Sequence, residues 1–309
     1  MKKRSVFSLG IILLLSPATV IMAQPQGDLP YNIIGDPSGT APYFFGPYAF
    51  PVPDILKNTV KNVTVGLTGE YTLGSLTPAK DHTAAVGFSV RLPLWTDRAN
   101  LSVYGQFHEW YRDTPESRIV RRVSDKYALD GHCAGDVYVS IDMRLLSEKK
   151  YVPLVTLRAA LKTASGDDYE KARYFDAPGY HFDMSVTKTF HFIRRGFFRS
   201  VSASLNTGFL CWQTDIGCQN DAWMFAGSVQ LNTKAVNLSV DVGGYYGREK
   251  YYDSPQSLKV IAEFLPDKAV SPLFIYQKGL KDWPFEQFKI GLTYTIPSPK
   301  GLAEMYHGL

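Results

Sequence analysis

From about residue 60 to residue 296 the chain alternates apolar with polar residues in segments of about ten, with turn residues between them. A period of two marks strands with one apolar face. In 63–73 the odd positions read Val63, Val65, Leu67, Gly69, Tyr71 and Leu73, and the even ones Thr64, Gly66, Thr68, Glu70 and Thr72. In 136–145 Val137, Val139, Ile141, Met143 and Leu145 form one face, and Asp136, Tyr138, Ser140, Asp142 and Arg144 the other. The last segment sets Phe288, Ile290, Leu292, Tyr294 and Ile296 against Gln287, Lys289, Gly291, Thr293 and Thr295. Each has about the length of a bilayer-crossing strand. The same pattern predicts strands over 60–73, 83–92, 100–111, 136–146, 152–162, 181–192, 200–211, 221–231, 236–247, 257–264, 272–278 and 285–296. Pro266 and Pro272 make the tenth and eleventh the poorest matches.

Twelve is an even number, so both ends of the array return to one side. With the first strand running outward, the long links 112–135, 163–180 and 248–256 all fall outside, while 147–151 and 232–235 are short inner turns. The expected fold class is all-β: a closed antiparallel transmembrane β-barrel of about 12 strands, up-and-down in topology, over 59–296. A soluble sandwich would have to gather all these similar apolar faces into one core. Composition adds two exclusions. At 45% hydrophobic and 20% charged, the 309 residues are too apolar for a disordered chain. Past the N-terminus no apolar run approaches the roughly 18 residues a spanning helix needs, which excludes a polytopic helical transporter.

The flanks read differently. Residues 1–23 carry Lys2, Lys3 and Arg4, an apolar stretch from Val6 to Leu15, and a tail ending in Ala23, the pattern of a cleavable signal peptide. Its removal leaves 30 basic against 29 acidic residues, a net charge of +1, so no nucleic-acid partner is indicated. Residues 24–58 form a Pro- and aromatic-rich leader, expected on the periplasmic side. Tyr43, Phe44, Phe45, Tyr48 and Phe50 imply that it packs against something. Residues 297–309 form a C-terminal tail, also expected in the periplasm.

The signal segment, the period-two strands, the long alternate links and the terminal strand 285–296 together resemble a Gram-negative outer-membrane β-barrel protein of porin-like type. The run 41–53 resembles leaders of Bacteroidetes outer-membrane proteins. The resemblance implies residence in the outer membrane of a Gram-negative bacterium, contact with the lipid bilayer and lipopolysaccharide, and insertion by the barrel-assembly machinery. One departure stands out. The chain runs past its last strand from Pro297 to Leu309, so the usual terminal assembly signal would be internal.

In such a barrel the apolar faces meet lipid and the polar faces line the lumen. Tyr71, Trp95, Trp110, Tyr151, Trp212, Trp223, Tyr246 and Trp283 fall near strand ends, where an aromatic girdle is expected. Lys188 breaks the pattern on the lipid face and is expected to reach the inner headgroups. Parity turns Arg91, Arg144, Arg158, Lys162, Lys259 and Lys289 inward, with Glu70, Asp136, Asp142, Asp183, Asp241 and Glu263. Such a balanced lumen either closes as a charge network or forms a narrow wet pore. Small residues on the same faces, among them Ser102, Ser140, Ser185, Ser202, Ser204 and Ser228, favour the pore.

Other chemistry is thinner. Cys211 and Cys218 bracket an outer link and form a disulfide candidate in an oxidising compartment. His132 and Cys133 are adjacent but lack a partner motif, so no metal and no cofactor are expected. A lipid hydrolase of lipase or lipid A deacylase type would need an oriented His; His108 and His181 lie near outer strand ends, and parity faces both inward. No G-x-S-x-G or H-E-x-x-H string occurs, and no catalytic residue is assigned. Asp167, Asp168, Glu170 and Asp176 make one outer link acidic, a loop able to take calcium or stay solvated. The arginines Arg118, Arg121 and Arg122 suit the other link to a constriction, to lipopolysaccharide phosphates or to free exposure. The functional expectation is a porin-like channel for passive passage of a small polar solute, with 112–135 and 163–180 narrowing its entrance. An outer-membrane hydrolase and a closed structural or adhesion barrel are the alternatives. A leader packed inside the barrel would argue for closure.

Overall fold

The computed structural model describes residues 41–75, 80–94, 96–192, 196–215, 218–247 and 252–296. The signal peptide, the start of the leader, Trp95 and the tail 297–309 lie outside the described residues. The strands are β1 (Thr64–Gly74), β2 (His82–Leu94), β3 (Thr96–Arg112), β4 (Asp130–Cys133), β5 (Val137–Leu146), β6 (Leu154–Lys162) and β7 (Gly179–His191). They continue as β8 (Phe198–Asp215), β9 (Cys218–Thr233), β10 (Val236–Tyr246), β11 (Gln256–Phe264), β12 (Val270–Lys281) and β13 (Phe285–Thr295).

Twelve of them close a ring. Each barrel strand pairs antiparallel with its neighbour, and β1 meets β13 over its whole length, Thr64 opposite Thr295 and Gly74 opposite Phe285. All twelve expected strands are present; β4 is an addition, pairing only with the outer end of β3 through Arg112–Asp130 to Glu109–Cys133. Pro272 lies just past the last β11–β12 pair, Glu263–Leu273, where one donor fewer is tolerated.

Alternation sets the two faces. Leu67, Ile141, Leu161, Leu205, Val229, Ile290 and Leu292 are exposed on the outside, whereas Thr72, Ser102, Ser140, Thr156, Ser185, Ser204 and Ser239 are buried within. A closed barrel leaves no unpaired backbone edge, which is what hydrocarbon requires. The long links mark the outer end. There Tyr71, Trp110, Trp223 and Tyr246 are exposed, with Trp223 stacked on Tyr246 at 6.0 Å. Lys188 reaches the inner turn, where it pairs with Glu148 at 3.2 Å and donates to the Lys149 carbonyl.

Replacing Ile290 with Arg puts a charge in mid-strand on the lipid face, and folding stability in bilayers should fall by about 2–4 kcal/mol. Urea titration of the folded fraction measures this; an unchanged midpoint would place Ile290 off the lipid face.

Candidate functional site: the occupied lumen

The leader, expected at the periplasmic side, lies inside the barrel. Its outer end rests on the loop between β6 and β7, with the Gly46 amide donating to the Ala172 carbonyl at 2.8 Å. A Cβ at position 46 would stand 2.9 Å from the Arg173 carbonyl oxygen and 3.1 Å from its guanidinium carbon, so glycine permits the contact. Further along, Trp283 donates from Nε1 to the Pro47 carbonyl and Tyr245 donates to the Phe50 carbonyl, at 3.2 and 3.3 Å. Thr156 donates to the Leu56 carbonyl at 2.9 Å. At the inner end the Asn100 side chain holds both the amide and the carbonyl of Val60, at 2.7 and 3.0 Å. The leader thus traverses the lumen from outer mouth to inner rim before entering β1.

Its two halves are held by different forces. In the outer half Phe44, Phe45, Ala49 and Phe50 join Tyr138, Phe175, Leu210, Trp212, Ala222, Met224 and Tyr245 in one buried apolar cluster. Full burial of each Phe contributes about 1.5–3 kcal/mol. In the inner half the contacts are polar, the Thr156 and Asn100 hydrogen bonds joined by two ion pairs. Lys57 pairs with Asp241 at 3.0 Å. Lys259 pairs with Asp54, whose side chain is 70% exposed. The wall ends of these pairs, Asp241 and Lys259, are only 13% and 12% exposed, so the pairs stand between an open surface bridge, worth about 0–1 kcal/mol, and a buried one. The apolar grip concentrates at the outer end. Beside the inner contact a small cavity of about 20 Å³, room for about one water, is lined by Asp54, Ile55, Asp241, Gly243, Ser257 and Lys259.

The remaining inward charges sit as follows. Glu70 pairs with Lys289 at 2.8 Å, Asp136 with Lys162 at 2.8 Å, and Asp183 with Arg158 at 2.8 Å. Asp142 accepts from Ser102 and Ser140 at 2.7 and 2.9 Å. Glu263 accepts from Asn237 at 3.1 Å, and Arg144 turns to Asp97 at the inner rim. Arg91 stands exposed opposite Thr64 and Ser102.

Two outer loops cap the mouth. The first begins with a short helix, α1 (Pro115–Val120), capped by Thr114, whose side chain accepts from the Ser117 amide. Just beyond it the buried Arg121 bridges Asp81 and Asp113, both at 2.6 Å. Arg122 lies over the Phe44 ring at 5.5 Å. From the second loop Arg173, fully buried, pairs with Glu109 at 2.6 Å and donates to Thr83 at 2.7 Å. Asp168 is taken by Lys171 and by the Tyr111 hydroxyl, and the described residues hold no group of three or more His, Cys, Asp or Glu placed to bind a metal.

Several residues lie elsewhere than expected. Trp212 and Trp283 are buried, 1% and 4% exposed, rather than in the girdle. Trp212 has the same parity as Ser202 and Ser204, so it faces inward across Gly179, where a Cβ would stand 2.3 Å from its ring. His108 faces outward. A β-bulge sets Val86 opposite His108 and Gly87 opposite Gln106, so parity flips at Phe107. His108 then packs on Trp110 at 4.6 Å and on His132 at 5.1 Å, whereas His181 is buried in the lumen. The histidines considered for hydrolysis are on opposite sides of the wall.

Cys211 is free and buried. The disulfide expected with Cys218 is not compatible with the ladder: Cys211 is opposite Asp221, and Cys218 opposite Asp215. Three residues of strand separate the two by roughly 10 Å, beyond disulfide reach. The Cys218 side chain lies outside the described residues. Cys133 is buried while its neighbour His132 is exposed, so the two do not share a ligand. Burial and the nearby Glu109 carboxylate push the Cys133 thiol upward.

No protein-family model and no curated protein matches this chain. Solved structures do. An outer membrane channel from Pseudomonas putida F1 superposes with a TM-score of 0.57 at 9% identity, over 79% of this chain and 100% of that one. The fold is shared. The protein is a closed antiparallel β-barrel of twelve strands. KdgM porin matches at 10% identity over 75% of this chain and 99% of its own, TM-score 0.44. LpxR from Salmonella typhimurium matches at 7% over 75% and 100%, also at 0.44.

Glu109→Gln removes the main counter-charge of buried Arg173, and with Asp113 still 3.5 Å from the guanidinium the loss should be near the lower end of the roughly 3–5 kcal/mol such a break costs. Protease added to intact cells should then cut the 163–178 loop faster than in the parent; equal rates would show that the pair does not hold the loop.

Proposed function

We propose that this barrel is a channel for small polar solutes, closed in the present conformation by its own leader. The reading is carried by the wall beneath the leader's inner half. Thr156, Ser228, Ser239, Asp241, Ser257 and Lys259 present small or charged side chains there. A barrel built to stay filled uses bulky side chains of its own wall; this wall, with the leader displaced, is a wettable bore. Twelve strands set its width between filled barrels and open porins. Solutes would diffuse past Glu70, Arg91, Asp142, Arg158, Asp183, Asp241, Lys259 and Lys289. Their alternating signs select against apolar compounds and impose no strong preference for one charge.

A second reading, a permanently closed structural barrel, is favoured by the outer cap, where a buried Arg173 and a cluster of Phe side chains anchor the leader. One experiment separates the two. Protein lacking 41–58, refolded and checked by its shifted mobility without boiling, should conduct ions in planar bilayers and swell liposomes in a small neutral sugar. The intact chain should conduct rarely. A truncated barrel that folds but stays silent would contradict the channel and leave the structural reading.

A further inference from the structure

Asp241 on β10 and Lys259 on β11 are directly opposite each other in register, on the lumen face. Cross-strand partners have Cβ atoms about 4.5–5.5 Å apart, close enough for opposite charges to pair. Here each is paired with the leader instead: Asp241 with Lys57 and Lys259 with Asp54. The leader carries the two matching charges three residues apart and inserts them between a pair that would otherwise form within the wall. Resting on the channel reading above, we propose that these four residues form a charge-exchange gate, in which Asp54 and Lys57 hold Lys259 and Asp241 while the lumen is closed, and Lys259 and Asp241 pair with each other when the leader withdraws.

The surroundings fit that role. Arg158 also touches the leader, donating to the Asp54 carbonyl at 2.6 Å, and keeps Asp183 as a wall partner. Lys289, whose charge acts on Asp54, keeps Glu70. Ser228 continues to donate to Asp241, at 2.5 Å. Withdrawal of the leader therefore strands none of these wall charges, whereas a charge left without a partner in a narrow lumen would trap the leader in place. The outer cap is built otherwise. Arg173 is shut away from water among Glu109, Asp113 and Thr83, as suits a fixed anchor. At the inner end, exchange replaces two leader–wall pairs by one pair within the wall, so neither Asp241 nor Lys259 is left without a partner.

The test uses full-length protein in planar bilayers, each variant first shown to fold by its unboiled mobility. Reversing the leader alone, Asp54→Lys with Lys57→Asp, sets like charges face to face and should raise the conducting fraction by at least about tenfold. Reversing the wall alone, Lys259→Asp with Asp241→Lys, should do the same. The fourfold variant restores both leader–wall pairs and should return to the parent's level. Neutralising the leader pair, Asp54→Asn with Lys57→Gln, weakens only the closed state. Neutralising the wall pair, Asp241→Asn with Lys259→Gln, weakens both states and should open the channel less. If leader reversal leaves conduction at the parent's level while the 41–58 deletion conducts, the gate is wrong and the channel stands. Equal conduction by both reversals and the fourfold variant also overturns the gate. If the deletion itself is silent, the channel reading fails and the gate falls with it.

Discussion

A chain that crosses hydrocarbon as strands has no water to satisfy its backbone, so every amide and carbonyl in the span must find a partner in the ring. That requirement closes β1 onto β13 and turns the apolar faces outward. It also sends the polar faces inward, where their charges need partners of their own. Among the described residues Glu70–Lys289, Asp136–Lys162 and Asp183–Arg158 pair within the wall, and Arg144 pairs with Asp97 at its inner rim. Two more, at Asp241 and Lys259, are completed by the leader. The occupied lumen follows from the same constraint that makes the barrel.

The leader is not held evenly along its length. Four Phe side chains, Phe44, Phe45, Phe50 and Phe175, bury against one another and against the wall's apolar outer rim. Their burial is the leader's main apolar anchor, whereas the inner end is held by two ion pairs and by hydrogen bonds from Thr156 and Asn100. The interior thus has an apolar outer seal and a polar inner segment. The Arg121 and Arg173 anchors bind both outer loops into the seal, so cap and leader behave as one body.

Much of this was legible in the sequence, and the misses have physical causes. Period-two alternation located all twelve barrel strands because the lipid face tolerates only apolar residues over its full height. The long links set which end is read as outer. Parity failed at His108, where the bulge at Phe107 inserts one unpaired residue and reverses every later side chain; nothing in the local sequence announces it. Trp212 shows the opposite error. Its parity with Ser202 and Ser204 put it inward, and its place near a strand end suggested the girdle; parity was right. The leader's position also had a signal. Leu210, Trp212, Ala222 and Met224 are apolar residues on the lumen face, clustered at the outer ends of β8 and β9, and an apolar patch inside a polar bore needs an apolar occupant. The Phe residues of 41–53 are that occupant. Asp241 and Lys259 were recognised as inward charges, but their partners came from a segment with no period to read.

The central claim is that the leader fills the lumen of the barrel in the membrane. It is tested most directly by placing a photoreactive benzoyl-phenylalanine at Phe50, which keeps the phenyl ring, adds a benzoyl group and changes no charge, in protein shown to fold by its unboiled mobility, and irradiating intact cells. The rings of Phe50 and Phe175 lie 5.6 Å apart, and Tyr245 donates to the Phe50 carbonyl. Mass spectrometry should find the probe joined within the same chain to the peptide containing Phe175 or the one containing Tyr245. A probe that stays unreacted, or is captured by other proteins of the periplasm, would contradict the account.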